Sequence, residues 1–403
     1  MKKKSMLSFL IISLLLLFSK QSYAYFPIWN NNLDTTEVNA ESSISDNFLN
    51  IESESAILIE QNTGKILYEK NSHEQLRPAS VTKVMSILLI MEALDRGDIT
   101  LDTQVPCSEK ASSMGGSQIW LNETETLSVD EMLKAICVVS ANDCTVAMAE
   151  FISGSEELFV QKMNDRAKEL GMNDTCFKNC HGIDEDGHVT SSYDISLMSR
   201  ELLLKHPTIT NYTTIWMDNL RDGKSELVNT NKLIRTYNGA TGLKTGSTSL
   251  ALYNLSASAT RDNLSLIAVV LRAPTPKIRF SEAKLLLDYG FNTYSYKQTS
   301  AQNSFVENVK VNKGTAENVN LVFENDSGVI VKKEDINKIE EEKIINEVID
   351  APIEAGEILG KINYNLNGET LSTVNLVAEN SVSKKSIINM FTYISSNWFN
   401  LLR

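Results

Sequence analysis

The chain has 403 residues, 42% of them apolar, with 38 basic and 51 acidic side chains and a net charge of −13. Such an acidic balance argues against a nucleic-acid partner, and five cysteines are too few and too odd in number for a disulfide scaffold. The apolar and charged fractions are those of a globular protein, long enough for two domains.

Lys2, Lys3 and Lys4 precede an apolar run from Met6 to Phe18, broken by Ser8 and Ser13, and Ser22-Tyr23-Ala24 has small-x-small form. This predicts a secretory signal peptide over residues 1–24, too short and wrongly flanked to span a membrane. Its removal takes four Lys and no acid, leaving 34 basic against 51 acidic residues, a net charge of −17. Residues 25–50 are polar and aperiodic, which predicts a flexible leader.

Two short apolar runs, Ser55–Glu60 and Lys65–Glu69, flank Gln61-Asn62-Thr63-Gly64 and predict a β-hairpin. From Ser80 to Arg96 the residues Val84, Ile87, Leu88, Met91 and Leu94 recur at helical spacing, with Gly97 as the stop. Ser128-Val129-Asp130-Glu131 has the form of a capping box and opens a helix running toward Val139. Further helices are predicted from about Asp143 to Ile152 and from Ser155 to Gly171. Asn173 to Ser192 reads as a long loop. Leu252–Ala259 and Leu264–Leu271 read as strands, followed by a helix from about Arg279 to Tyr289. Helices, then paired strands, then a helix predict a sheet covered by helices on its faces. From Phe291 to Asn380 short apolar runs alternate with Gly- and Asn-containing turns, as in a small β domain. Lys332–Lys343 is a mixed charge run, read as a solvated loop or short exposed helix. In Ser383–Arg403 the residues Ile387, Phe391, Ile394, Trp398 and Leu401 share one helical face. That segment reads as a helix in the membrane interface, in preference to one packed on its own domain.

Ser80-Val81-Thr82-Lys83 places an amine three residues after a hydroxyl, on one face at a helix start. A Ser hydroxyl needs an adjacent base to become a nucleophile, and a Lys serves only when burial or nearby positive charge lowers its pKa. Alone, the tetrad is better read as a helix N-cap Ser and a solvated Lys. Ser140-Ala141-Asn142 follows between two predicted helices, and Lys244-Thr245-Gly246 enters a strand. The ordered set S-x-x-K, S-x-N, K-T-G is the signature of penicillin-recognising acyl transferases.

With Arg77-Pro78-Ala79, Ser113-Met114-Gly115-Gly116-Ser117, His181-Gly182-Ile183-Asp184, Thr241-Gly242-Leu243, Ala273-Pro274-Thr275 and Ala351-Pro352-Ile353, the chain resembles the low-molecular-weight penicillin-binding proteins. These are D-alanyl-D-alanine carboxypeptidases, and the resemblance is greatest to the type of spore-forming Gram-positive bacteria, over residues 51–380. It implies a β-lactamase-like antiparallel sheet flanked by helices (51–292), a β-rich domain (293–380) and an amphipathic anchor (383–403). It implies that Ser80 attacks the bond between the last two D-Ala residues of the peptidoglycan stem peptide, with Lys83 as base. Ser140 would relay a proton to the leaving amine, and Asn142 would hold the substrate amide. Lys244 and Thr245 would meet the terminal carboxylate, with Gly246 allowing close approach. The N–H groups of Ser80 and Ser247 would form the oxyanion hole. Penicillin would acylate the same serine, and neither metal nor organic cofactor is implied. The expected site of action is the outer face of the cytoplasmic membrane, against the cell wall.

The sequence departs from that family at Cys180, where the turn usually carries Pro. Cys176, Cys180, His181 and His188 have the side chains of a zinc site, but the preferred reading is half-buried thiols, with or without one disulfide. His73 and His206 read as solvated. The rival functions are a serine β-lactamase, which uses a loop Glu and for which Glu185 is the only candidate, a D,D-endopeptidase or transpeptidase, and a non-catalytic scaffold.

Overall fold

The computed structural model describes residues 49–386. The predicted signal peptide, nearly all of the leader, and residues 387–403 lie outside the described residues. Five strands form one antiparallel sheet: β1 (Ser55–Glu60), β2 (Ile66–Lys70), β3 (Ala240–Thr248), β4 (Leu252–Arg261) and β5 (Leu264–Ala273), in the order β2-β1-β5-β4-β3. Strand alternation splits β1 and β5 between two cores. Ile57, Ile59, Ile267, Val269 and Leu271 face one core, and Ala56, Leu58, Leu266, Ala268 and Val270 face the other.

On the first face lies helix α1 (Lys83–Asp95), buried on nearly every side by Val84, Met85, Ile87, Leu88, Leu89, Ile90 and Met91. A helix apolar all round belongs inside a domain, and each such side chain contributes about 1.5–3 kcal/mol when fully buried. Helices α2 (Val129–Lys134), α3 (Asn142–Ser153), α4 (Glu156–Glu169) and α5 (Ser192–Lys205) supply buried residues to the same core. Helix α6 (Pro276–Thr293) covers the opposite face through Ala283, Leu286 and Leu287. The expected fold class, helices flanking an antiparallel sheet, is what the structure has.

Chain-order expectations hold with local shifts. The capping box at Ser128 is present, its hydroxyl accepting from Glu131 N–H while the Glu131 carboxylate accepts from Ser128 N–H. The helix expected from Ser80 begins instead with one 3-10 turn, Ala79–Thr82, because Ala79 holds a left-handed φ of 48° after Pro78. Helix α6 starts earlier than expected, since the Thr275 hydroxyl accepts from Ile278 N–H and Pro276 occupies the first turn. Helix α5 and the hairpin Met217–Leu220/Ser225–Val228 have no counterpart in the sequence reading.

Beyond α6, eight strands follow: β6 (Tyr294–Ser300), β7 (Phe305–Asn312), β8 (Asn318–Phe323), β9 (Ser327–Lys332), β10 (Glu340–Ile345), β11 (Val348–Asp350), β12 (Ile358–Leu366) and β13 (Glu369–Ala378). Strands β6 and β9 pair, and the other six form a sheet in the order β10-β12-β13-β8-β7-β11. The charge run at Lys332–Lys343 is a 3-10 helix, Lys333–Lys338, leading into β10. The helix expected from Ser383 does not begin there. Ser383 and Lys385 are bonded through their backbones to Thr315 and Lys313, and Lys384 bridges Gly314.

Two side-chain readings are corrected. His206 is 7% exposed, and its Nδ1 lies 2.6 Å from Asp95 Oδ2, so it is a packed residue and not a solvated one. All five cysteines are free thiols, which removes the disulfide alternative. Burial pushes the Cys137 thiol up to about 12 and Cys180 up as well, so these thiols stay protonated and unreactive. His188 is engaged at both ring nitrogens, by Thr82 Oγ1 and by Lys178 N–H. Among the described residues no group of three His, Cys, Asp or Glu is placed to hold a metal ion.

Candidate active site

Ser80 sits in the 3-10 turn that leads into α1. The turn is pressed between two backbones. A Cβ added at Gly246 of β3 would lie 2.8–2.9 Å from Pro78 O, Ser80 N and Val81 N. One added at Gly182 would lie 1.9 Å from Ala79 O. Only glycine allows either approach.

Lys83 is fully buried at the first turn of α1. Its Nζ lies 3.0 Å from Ser80 Oγ and donates to Asn142 Oδ1 at 2.6 Å and to the His181 carbonyl at 2.6 Å. Burial first, and then the neighbouring charge of Lys244, hold the Lys83 amine well below its ordinary range. That is the condition the sequence argument set for a lysine base.

Ser140 ends a π-helical turn, Ala135–Val139, in a left-handed conformation with φ 67°. The turn aims its hydroxyl inward, where Oγ is buried with no partner among the described residues. Asn142, at the start of α3, donates from Nδ2 to Gly115 O, and its N–H donates to Ser117 O. The Gly115–Ser117 loop is therefore tied to Asn142.

On β3, Lys244 is 1% exposed, with its Nζ 3.0 Å from Thr245 O. Burial, with a contribution from the Arg279 charge, brings its pKa down to about 7. The Thr245 hydroxyl donates to Thr230 Oγ1 at 2.8 Å. Ser247 follows as an exposed residue. All eight residues singled out in the sequence thus lie on the three segments that converge here: the 3-10 turn with α1, the Ser140–Asn142 turn, and strand β3.

The sequence reading missed three contributors. The His181 carbonyl accepts from Lys83 beside Asn142 Oδ1, a backbone role that no side-chain pattern announces. Arg279 of α6 donates from Nη1 to Gly246 O and Asn254 O, each at 3.3 Å. Its guanidinium stands 4.5 Å from the Phe280 ring centre, and burial brings its pKa down to about 10. Glu156, 7% exposed, accepts from Cys180 N–H and lies 3.4 Å from His181 Nε2 and 3.0 Å from Lys110. It thereby anchors the segment that carries the His181 carbonyl.

A helix-flanked antiparallel sheet with S-x-x-K, S-x-N and K-T-G segments facing one crevice defines the class of penicillin-recognising serine enzymes. Residues 39–275 match the family described as D-alanyl-D-alanine carboxypeptidase, and residues 294–384 match the C-terminal domain of penicillin-binding protein 5. The chain belongs to the D-alanyl-D-alanine carboxypeptidase family of serine peptidases. It is 46% identical to the D-alanyl-D-alanine carboxypeptidase DacF of Bacillus subtilis, over 86% of this chain and 90% of that one. Its structure is similar to penicillin-binding protein 5 from Haemophilus influenzae, with a TM-score of 0.73 at 30% identity, covering 83% of this chain and 98% of that one. It is also similar to penicillin-binding protein D2 from Listeria monocytogenes in an ampicillin-bound form, with a TM-score of 0.56 at 30% identity over 60% and 99% of the two chains.

Proposed function

We propose that the chain is an exported serine-type carboxypeptidase that removes the terminal D-Ala from peptidoglycan stem pentapeptides through an acyl-enzyme on Ser80. The observation that carries this reading is the Lys83 amine, fully buried, depressed in pKa and 3.0 Å from the Ser80 hydroxyl. Neutral Lys83 takes the Ser80 proton as Oγ attacks the carbonyl between the last two D-Ala residues. The N–H groups of Ser80 and Ser247 receive the developing oxyanion. Ser140 passes the proton to the leaving amine, and Asn142 holds the substrate amide. Lys244 and Thr245 bind the terminal carboxylate. Water then releases the shortened peptide.

A β-lactam enters the same crevice and acylates Ser80. The lactamase reading needs a loop Glu to activate the deacylating water, and Glu185, the one Glu of that loop, is exposed and accepts from Asn179 Nδ2. The predicted signal peptide carries the chain across the membrane. Residues 51–292 serve as the catalytic domain, residues 293–380 as the β-rich domain, and the C-terminal amphipathic segment holds the enzyme on the membrane's outer face. Among the described residues no helix is long and apolar enough to cross a membrane.

The test is labelled penicillin followed by digestion and mass spectrometry. The adduct is expected on Ser80, and Ser80→Ala should abolish both labelling and D-Ala release. Labelling at another residue, or D-Ala release by Ser80→Ala, would sink the proposal.

A further inference from the structure

Trp120 is the most exposed large apolar side chain among the described residues, at 74%. Its neighbours Ile119 and Leu121 are buried, and both donate their N–H groups to Asp143 Oδ2, at 3.1 and 3.0 Å. Asp143 is a fully buried carboxylate directly after Asn142. The carbonyls of Ile119 and Trp120 accept from the Arg221 guanidinium, which also pairs with Glu125 at 2.6 Å. Between these clamps the Trp120 backbone holds φ 55°, a left-handed conformation that disfavours a bulky side chain. A single exposed apolar residue is ordinary. A strained one, with its backbone fixed from both sides and its indole in water, gains nothing from packing, and strain of this kind marks functional positions.

The position says what the indole would meet. Ser117 O and Gly115 O both accept from Asn142, so this loop is a wall of the crevice. Trp120 follows three residues after Ser117, within about 11 Å of chain. A dipeptide spans about 7 Å, so of the stem peptide it is the longer stretch preceding the D-Ala-D-Ala pair that offers length enough to extend along this wall toward Trp120. We propose that the Trp120 indole is a stacking platform for the acyl-side portion of the stem peptide, an extended amide backbone with aliphatic side chains. Asp143 ties this platform to the helix start that carries Asn142, so the grip and the reacting bond keep a fixed spacing.

The inference rests on the carboxypeptidase reading, and the experiment separates the two. Trp120→Asn keeps the loop, because Asn adopts left-handed backbone readily, while Trp120→Phe keeps an aromatic face. D-Ala release is measured from an N-acetyl-D-Ala-D-Ala dipeptide and from the full stem pentapeptide, together with the rate of acylation by benzylpenicillin. Trp120→Asn should raise KM for the pentapeptide about tenfold, leaving its kcat, the dipeptide reaction and penicillin acylation unchanged, and Trp120→Phe should restore most of the loss. In a Ser80→Ala background the pentapeptide should quench the fluorescence that depends on Trp120, and a peptide-free disaccharide should not. Equal loss on both substrates, no loss on either, or quenching by the disaccharide alone would overturn the platform. A wild-type enzyme that releases no D-Ala from either substrate would overturn the parent reading instead.

Discussion

Lys83 and Lys244 are both buried, and the proposed chemistry asks opposite charge states of them. In that proposal Lys83 is neutral to take the Ser80 proton, while Lys244 is charged to bind a carboxylate. Burial lowers both amines, and the neighbouring charge that adds to it differs between them. The Lys244 charge is one cause of the Lys83 depression, whereas Lys244 is lowered by burial and by Arg279 and remains near 7. A lysine is charged below its pKa and neutral above it. Activity should therefore rise as pH climbs through the lowered Lys83 pKa, and fall as pH passes about 7 and Lys244 loses its proton. A bound substrate carboxylate favours the charged amine, so the alkaline limb should sit at higher pH in kcat than in kcat/KM. Stopped-flow acylation and steady-state D-Ala release across pH would show this, and an alkaline limb that does not move would mean that Lys244 is not the group responsible. The residues of this pair were legible in the sequence as S-x-x-K and K-T-G. Their charge states were not, because burial and the approach of Arg279 from α6 exist only in the fold.

At the scale of elements, the site depends on how closely backbones pass. The segment after α4 has almost no regular structure, yet it lies against the Ser80 turn and lends its His181 carbonyl to Lys83. Gly182 makes that possible, with φ 90° and with Ala79 O where a Cβ would sit. Gly182→Ala should therefore destabilise the fold by about 1–3 kcal/mol from overpacking, added to about 1–2 kcal/mol for the left-handed backbone. It should also slow acylation, because the His181 carbonyl shifts away from Lys83. Urea denaturation and the rate of penicillin labelling check the two effects, and a variant as stable and as fast as wild type would refute the account. Helical spacing, the capping box at Ser128 and the apolar run of β5 were readable because each is a local pattern in the sequence. Helix α5 escaped notice because three of its buried positions are serines, Ser192, Ser196 and Ser199, which carry no hydrophobic signal. Ser199 instead bonds Ser256 of β4 through its hydroxyl, a polar seam that becomes visible only once the sheet is assembled.

For the whole molecule, the sequence was most informative about the order of the helix-flanked sheet and the β-rich part that follows it, and least about how the described chain ends. The apolar residues Ile387, Phe391, Ile394, Trp398 and Leu401 all fall after the last described residue, so the bonding of Ser383 and Lys385 to the Lys313–Thr315 segment leaves their shared face intact as a proposed anchor. That bonding also fixes where such an anchor would leave the β-rich part. Net charge sharpens the expectation. With the predicted signal peptide removed the chain would carry −17 and be repelled by an anionic membrane surface, so the proposed attachment would come from the apolar face and not from Lys384 and Lys385. At about 1 M salt the Debye length falls to roughly 3 Å, which would release a protein held by charge and would weaken the repulsion felt by this one. The full chain without its signal peptide should therefore sediment with anionic vesicles at least as well in high salt as in low salt. A chain ending at Ser386 should stay in the supernatant while releasing D-Ala from soluble pentapeptide at the wild-type rate. Release of the full chain by salt would assign binding to the lysines, and sedimentation of the shortened chain would place the membrane contact elsewhere in the molecule.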